Sequence, residues 1–206
     1  MMNDASEVVR TGRKFDQVLA GAREVFMADG FEGASVDDIA RVAGVSKATL
    51  YSYFPDKRLL FMEVVTNECN LMAQRALDHL DTSLPPREVL ATAARYIVRS
   101  LLSEFSQRIF RICLAERERF PELGTAFYAC GPETGSKRLS AYLAEAVERG
   151  TLVIDNVPMA AEQFAELCKA RLWARAMFGV QTDFTDAEIE EVVVGAVDMF
   201  MARYGV

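Results

Sequence analysis

The sequence predicts an all-α chain in which a small N-terminal helical unit precedes a larger helical bundle. Three observations carry this expectation. Apolar residues recur at helical spacing through most of the chain, as they do when one face of a helix meets a core. The best candidate for a strand, Thr151-Leu152-Val153-Ile154, is short and isolated, and strands should alternate with period two between turns. The 206 residues are 51% apolar and 26% charged, which excludes disorder and supplies a core for one domain plus an appendage.

Each element has local justification. Residues 1–12, ahead of the first helix, are expected to form a flexible N-terminus. From Arg13 to Asp29, Phe15, Val18, Leu19, Ala22 and Phe26 share one helical face, and Gly30 is the left-handed residue that ends it. Ser35-Val36-Asp37-Asp38 places an acid three residues after a capping serine, close to a capping box. The helix it starts is short, because Gly44 follows Ala43. Ser46 caps a second short helix from Lys47 to Phe54, after which Pro55 breaks the chain and Asp56 re-caps it. A long helix then runs from Lys57 to about Leu80. Beyond Leu84-Pro85-Pro86, helices are expected at about 86–105, 107–119, 121–130, 133–149, 158–178 and 186–204. Their limits are Pro121, Gly131-Pro132, Gly150, Pro158 and the capping box Thr185-Asp186-Ala187-Glu188.

Composition removes several function classes. No apolar run approaches the roughly 20 residues of a membrane span, and the first residues lack a signal peptide's basic and apolar regions. A cytoplasmic protein with no membrane partner is expected. Cys69, Cys113, Cys130 and Cys168 stand far apart in sequence, without CxxC-type spacing, and read as buried thiols. His79 is the sole histidine, too few for a zinc cluster or a Ser-His-Asp triad. No metal site, cofactor or catalytic residue is expected. The net charge of −7 is unevenly spread: residues 10–58 hold eight basic against seven acidic side chains, and the rest carries the negative excess. An anionic partner is tolerated only at the N-terminal end.

The informative stretch is Ser35–Lys57. Two short helices flank the turn Ala43-Gly44-Val45-Ser46, which fits a helix-turn-helix whose second helix enters the major groove. Val36, Ile39, Ala40, Val45, Leu50 and Phe54 occupy anchoring positions, and the second helix then presents Lys47, Thr49, Tyr51, Ser52 and Tyr53. An ordinary helical corner would share this spacing.

Residues 13–60 nevertheless resemble the DNA-binding domain of the tetracycline-repressor (TetR) family of transcriptional regulators. The resemblance rests on Val18, Ala22, Phe26, Gly30-Phe31, Ser35, Ile39-Ala40, Ala43-Gly44-Val45-Ser46-Lys47, Leu50-Tyr51, Tyr53-Phe54, Lys57 and Leu59-Leu60. It implies a helix-turn-helix unit over 13–56 and a ligand-binding and dimerisation domain over 57–206, with 57–80 as connecting helix. It also implies a DNA-binding set: Ser35, Ser46, Lys47, Ala48, Thr49, Tyr51, Ser52, Tyr53 and Lys57. Ser46 and Lys47 would meet phosphate, as would Tyr51, Tyr53 and Lys57, while Ala48, Thr49 and Ser52 would read bases.

Farther on, Ala115-Glu116-Arg117-Glu118-Arg119-Phe120-Pro121-Glu122-Leu123, Phe127-Tyr128 and Gly131-Pro132 look like the C-terminal domain of one repressor subgroup. The resemblance implies operator DNA, a second copy and a small-molecule effector as partners. The last helix is apolar nearly all round through Val192-Val193-Val194, Ala196-Val197 and Met199-Phe200-Met201, and Ala161, Ala165, Cys168 and Leu172 form a stripe of mostly small residues before it. A homodimer through helices 158–178 and 186–204 is therefore expected. Candidate pocket residues are Phe105, Ile109, Ile112, Phe127, Tyr128, Tyr142, Phe164, Trp173 and Met177, although at helical spacing such residues are core far more often than pocket. Two alternatives remain at this point: a helical enzyme without metal, and a DNA-binding protein with no effector.

Overall fold

A computed structural model describes residues 12–78 and 80–206, with the side chains at 77 and 78 left out. The expected flexible N-terminus, apart from Gly12, and His79 lie outside the described residues. The helices are α1 (Arg13–Gly33), α2 (Val36–Ala43), α3 (Lys47–Tyr53), α4 (Lys57–Asp78), α5 (Pro86–Leu102), α6 (Glu104–Ala115), α7 (Pro121–Tyr128), α8 (Thr134–Glu148), α9 (Val157–Leu167), α10 (Leu172–Met177) and α11 (Asp186–Tyr204). A π-helical turn, Ala129–Glu133, joins α7 to α8. No helix among the described residues is long and apolar enough to cross a membrane.

Contacts divide the chain into two compact units. Among the described residues, the first takes 12–68 together with Ile112–Phe127, and the second takes Cys69–Arg111 with Tyr128–Val206. This differs from the sequence boundary after residue 56. The reason is aromatic and ionic: Phe31 meets Phe61 at 5.4 Å and Phe120 at 5.4 Å, Arg119 pairs with Glu32, and Arg58 pairs with Glu122 at 3.1 Å.

In the first unit, α1 buries Phe15, Val18, Leu19, Ala22, Val25, Phe26 and Phe31. Gly30 takes the left-handed φ that the sequence suggests (74°), but the chain resumes one helical turn to Gly33. Arg23 of α1 pairs with Glu68 of α4 at 3.1 Å.

The second unit buries one face of α11 (Ile189, Val192, Val193, Ala196, Val197 and Phe200) in a core shared with α5, α8 and α9. Guanidinium groups of α5 reach carboxylates of α11: Arg87 to Asp198, Arg95 to Glu190 through two bonds of 2.6 and 2.8 Å, and Arg99 to Asp186 at 2.7 Å. The capping box at Thr185 forms as expected, with Glu188 N–H donating to Thr185 Oγ1 and Thr185 N–H to Glu188 Oε2. The strand candidate contributes one bridge, Leu152 with Gly205, in which Val153 N–H donates to Tyr204 O at 2.9 Å.

Two expectations are corrected here. The helix expected over 158–178 is broken between α9 and α10, where Arg171 takes φ 65° and pairs with Glu191 at 2.6 Å. The Gly131-Pro132 break is instead the π turn, whose wider hydrogen-bond spacing accommodates a proline without an N–H.

Candidate nucleic-acid interface

The helix-turn-helix is built from local rules. Ser35 Oγ accepts from Asp38 N–H at 3.0 Å and donates to Asp38 Oδ2 at 2.6 Å, which starts α2. The bond from Ser35, reinforced by one from Arg41, holds the Asp38 carboxyl below its ordinary range. Gly44 ends α2 at φ 66°, with its N–H donating to Arg41 O and the Val45 N–H to Ala40 O. That pair of bonds is a Schellman ending, which needs a left-handed residue and so favours glycine. Ser46 Oγ then accepts from Thr49 N–H at 3.1 Å and starts α3.

Tertiary contacts fix the angle. A Cβ on Gly21 would stand 2.7 Å from Ala43 N and 2.8 Å from Ala43 Cα, so α1 and α2 touch backbone to backbone. Leu50 and Phe54 are buried, and Phe15 packs on Tyr53 and Phe54 with ring centroids 5.6 Å away in each case. Of the expected anchors, Ile39, Ala40, Leu50 and Phe54 are buried, whereas Val36 and Val45 are half-buried.

The exposed face of α3 carries Lys47, Ala48, Tyr51 and Ser52, with Thr49 half-buried beside them. Lys47 pairs with Asp37, but both side chains are largely exposed, so the pair is weak and exchangeable. Thr49 Oγ1 shares a hydrogen bond with Ser46 Oγ at 2.9 Å, and Ser52 Oγ donates to Thr49 O at 2.6 Å. Tyr51 is 50% exposed, while Tyr53 leans on Phe15. The Lys57 ammonium donates to Ala34 O at 3.1 Å and Glu32 O at 3.4 Å and lies 4.7 Å over the Phe31 ring. Ser35 is spent on its cap. Asp56 caps α4, its Oδ1 accepting from Arg58 N–H and Leu59 N–H.

Of the pocket candidates, Ile112 and Phe127 belong to the first unit, and Phe105, Ile109, Tyr128, Tyr142, Phe164, Trp173 and Met177 to the second. Phe164 is fully buried against Phe200, and Trp173 meets Phe110 edge-on. Tyr128 is 60% exposed. Tyr142 is buried, and its hydroxyl has no hydrogen-bond partner. The expected dimer stripe is also corrected: Val192, Val193, Ala161, Cys168 and Leu172 are buried within the unit, because those positions face its own core. The large apolar residues of α9 and α11 that remain exposed are Met159, Val194 and Met199. Met159 and Met199, with Gln163, Leu167 and Tyr204, line an open groove of about 540 Å³.

Comparison with known proteins gives one match in the N-terminal part of the chain and one in the remainder. Residues 18–64 match the bacterial regulatory proteins of the tetR family, and residues 88–206 match the AefR-like transcriptional repressor C-terminal domain. A crystal structure of a protein of Mesorhizobium loti assigned to the TetR-family transcriptional regulators superposes with a TM-score of 0.87 at 28% identity, covering 94% of this chain and 98% of that one. The flavonoid-responsive regulator FrrA gives 0.80 at 35% identity, covering 95% and 98%. The HTH-type transcriptional regulator YhgD of Bacillus subtilis is 34% identical over 71 residues, 34% of this chain and 37% of that protein. The match thus spans little more than a third of the length of such curated relatives.

Proposed function

The chain belongs to the TetR family of bacterial regulatory proteins, and on that premise we propose that it is a dimeric repressor which a small molecule releases from its operator. The observation that carries this reading is α3: capped at Ser46, anchored by Leu50, and exposing Lys47, Ala48, Tyr51 and Ser52 together. In this reading Lys47, Tyr51, Tyr53 and the remaining donor of Lys57 hold phosphates. Ala48 and the hydroxyls of Thr49 and Ser52 face base edges after exchanging their internal bonds. Ser35 and Ser46 fix the ends of α2 and α3. Acting on chromosomal DNA, such a protein works in the cytoplasm, without catalysis.

Two copies are needed to read two half-sites, and the exposed face of α9 and α11 supports a second copy better than the buried stripe does. Met199, 63% exposed, stands among the groove's apolar side chains. For the effector, the buried side chains of Phe105, Ile109 and Phe164 and the half-buried Trp173 and Met177 suit an amphipathic molecule. The Tyr142 hydroxyl, which lacks a partner, would gain from a polar group on it. Flavonoids are the first class to test, because a flavonoid-responsive regulator is 35% identical over 95% of this chain.

The test is a fluorescence-anisotropy titration against inverted repeats from the DNA flanking the gene, at several salt concentrations, with and without a flavonoid panel. Salt-sensitive binding that prefers one repeat over random duplex is expected, with release by at least one ligand. Equal affinity for every duplex would overturn the operator reading. By reciprocity, any releasing ligand must bind the operator complex more weakly by the factor it imposes on DNA.

A further inference from the structure

Cys69 of α4 and Cys130 of the π turn are 61 positions apart in sequence, yet their Sγ atoms lie 2.8 Å apart and share a hydrogen bond. Both belong to the second compact unit. We propose that they form an oxidisable dithiol, which a hydroperoxide converts into an intramolecular Cys69–Cys130 disulfide that thiol reductants reopen.

Geometry supplies the first argument. A disulfide bond is about 2.05 Å long, so the sulfurs need to approach by less than an ångström. Accessibility supplies the second. Cys130 is half-buried and is the sulfur an oxidant meets, whereas Cys69 is 8% exposed and stands behind it. The other cysteines are placed differently: Cys113 donates to Leu123 O in the first unit, and Cys168 is buried at 2% exposure, its thiol pushed up to about 12 by desolvation. Local electrostatics supply the third. The hydrogen bond it shares with Cys69 lowers the Cys130 thiol below its ordinary range, outweighing the burial that raises it. Finally, Cys130 lies in a π turn, a wound segment that departs from α geometry and so places its side chain where a regular helix would not.

The chemistry balances without a cofactor. The Cys130 thiolate attacks the terminal oxygen of a hydroperoxide, the O–O bond breaks, and the alkoxide leaves as an alcohol after taking a proton. Cys130 is then a sulfenic acid. Cys69 Sγ attacks the Cys130 sulfur, and hydroxide departs with the Cys69 proton as water. Two thiols lose two electrons, and the hydroperoxide is reduced to alcohol and water. The product ties α4 covalently to the turn between α7 and α8. This inference stands apart from the operator reading, since its readout is chemical.

The test uses the full chain, fully reduced, desalted and treated with tert-butyl hydroperoxide, followed by peptide mapping without reductant. One cross-linked peptide containing Cys69 and Cys130, two hydrogens lighter than its parts and reversed by dithiothreitol, is expected. Titratable thiols in denaturant should fall from four per chain to two, with no covalent dimer on a non-reducing gel. Cys69→Ser should leave Cys130 as a dimedone-reactive sulfenic acid, and Cys168→Ser should still give the cross-link. Overturning results are a sulfinic acid at Cys130 without cross-link in the unsubstituted chain, a disulfide involving Cys113 or Cys168, an interchain disulfide, or no thiol loss. The map of the unsubstituted chain decides even where a serine variant fails to fold.

Discussion

Replacing Gly21 by alanine sets helix propensity directly against tertiary packing. In a helix interior alanine is favoured over glycine by about 0.8–1 kcal/mol, so α1 taken alone predicts stabilisation. In the folded protein the new Cβ would meet Ala43 N at 2.7 Å and Ala43 Cα and Cβ at 2.8 Å. Carbon contacts settle near 3.5–4.0 Å, so α1 and α2 would have to part by roughly 0.7–1 Å. The obstruction is largely backbone and cannot rotate away. Overpacking of this kind typically costs about 1–3 kcal/mol, which leaves a net destabilisation of ~0–2 kcal/mol after the propensity gain. Because the Gly44 turn couples α2 to α3, the displacement should reach the recognition face and weaken operator binding even where the chain remains folded. Urea unfolding gives the first readout, as a lower midpoint with unchanged m, and anisotropy gives the second. A midpoint at or above the parent's with unchanged operator affinity would refute the reasoning, since it would mean that α1 and α2 have room to spare.

Lys47→Ala should leave stability nearly unchanged, because its pair with Asp37 is exposed, while the slope of log K against log salt falls by about 0.9 per lost phosphate contact; an unchanged slope removes Lys47 from the interface. Met199→Glu should give folded monomers by analytical ultracentrifugation, whereas Val193→Glu, at a side chain with 0% exposure, should unfold the second unit; a folded Val193→Glu dimer would show that the core assignment is wrong. Glu188, held down from 4.5 to about 2 by bonds from Gln181 first and then Thr185, favours folding above the unfolded value, and that contribution is lost as pH falls through about 2. Glu188→Gln should therefore flatten stability against pH in that acid window, and an unaltered profile in chemical denaturation would count against the capping box.

Most of the helix ends set by near neighbours in the chain were legible in the sequence. Ser35, Gly44, Ser46, Asp56 and Thr185 mark helix ends because a cap is a bond between residues two to five positions apart, and the structure forms each of them. The α3 face was legible for the same reason, since Leu50 is the residue that a short amphipathic helix must bury. The failures share a cause too. The break between α9 and α10 went unseen because its left-handed residue is an arginine, held by Glu191, where only a glycine would have announced it. An apolar last helix announces burial on most sides but not against what, and only the packing of α5, α8 and α9 shows Val193 facing its own unit while Met199 faces out. The requirement for glycine at position 21 depends on Ala43, 22 positions along the chain, and Cys69 meets Cys130 from 61 positions away. Hydrophobic periodicity and capping are properties of one segment, so the sequence determined most helix ends and the exposed face of α3. Which faces meet, and which sulfurs touch, depends on distances between segments, and those exist only once the chain has packed.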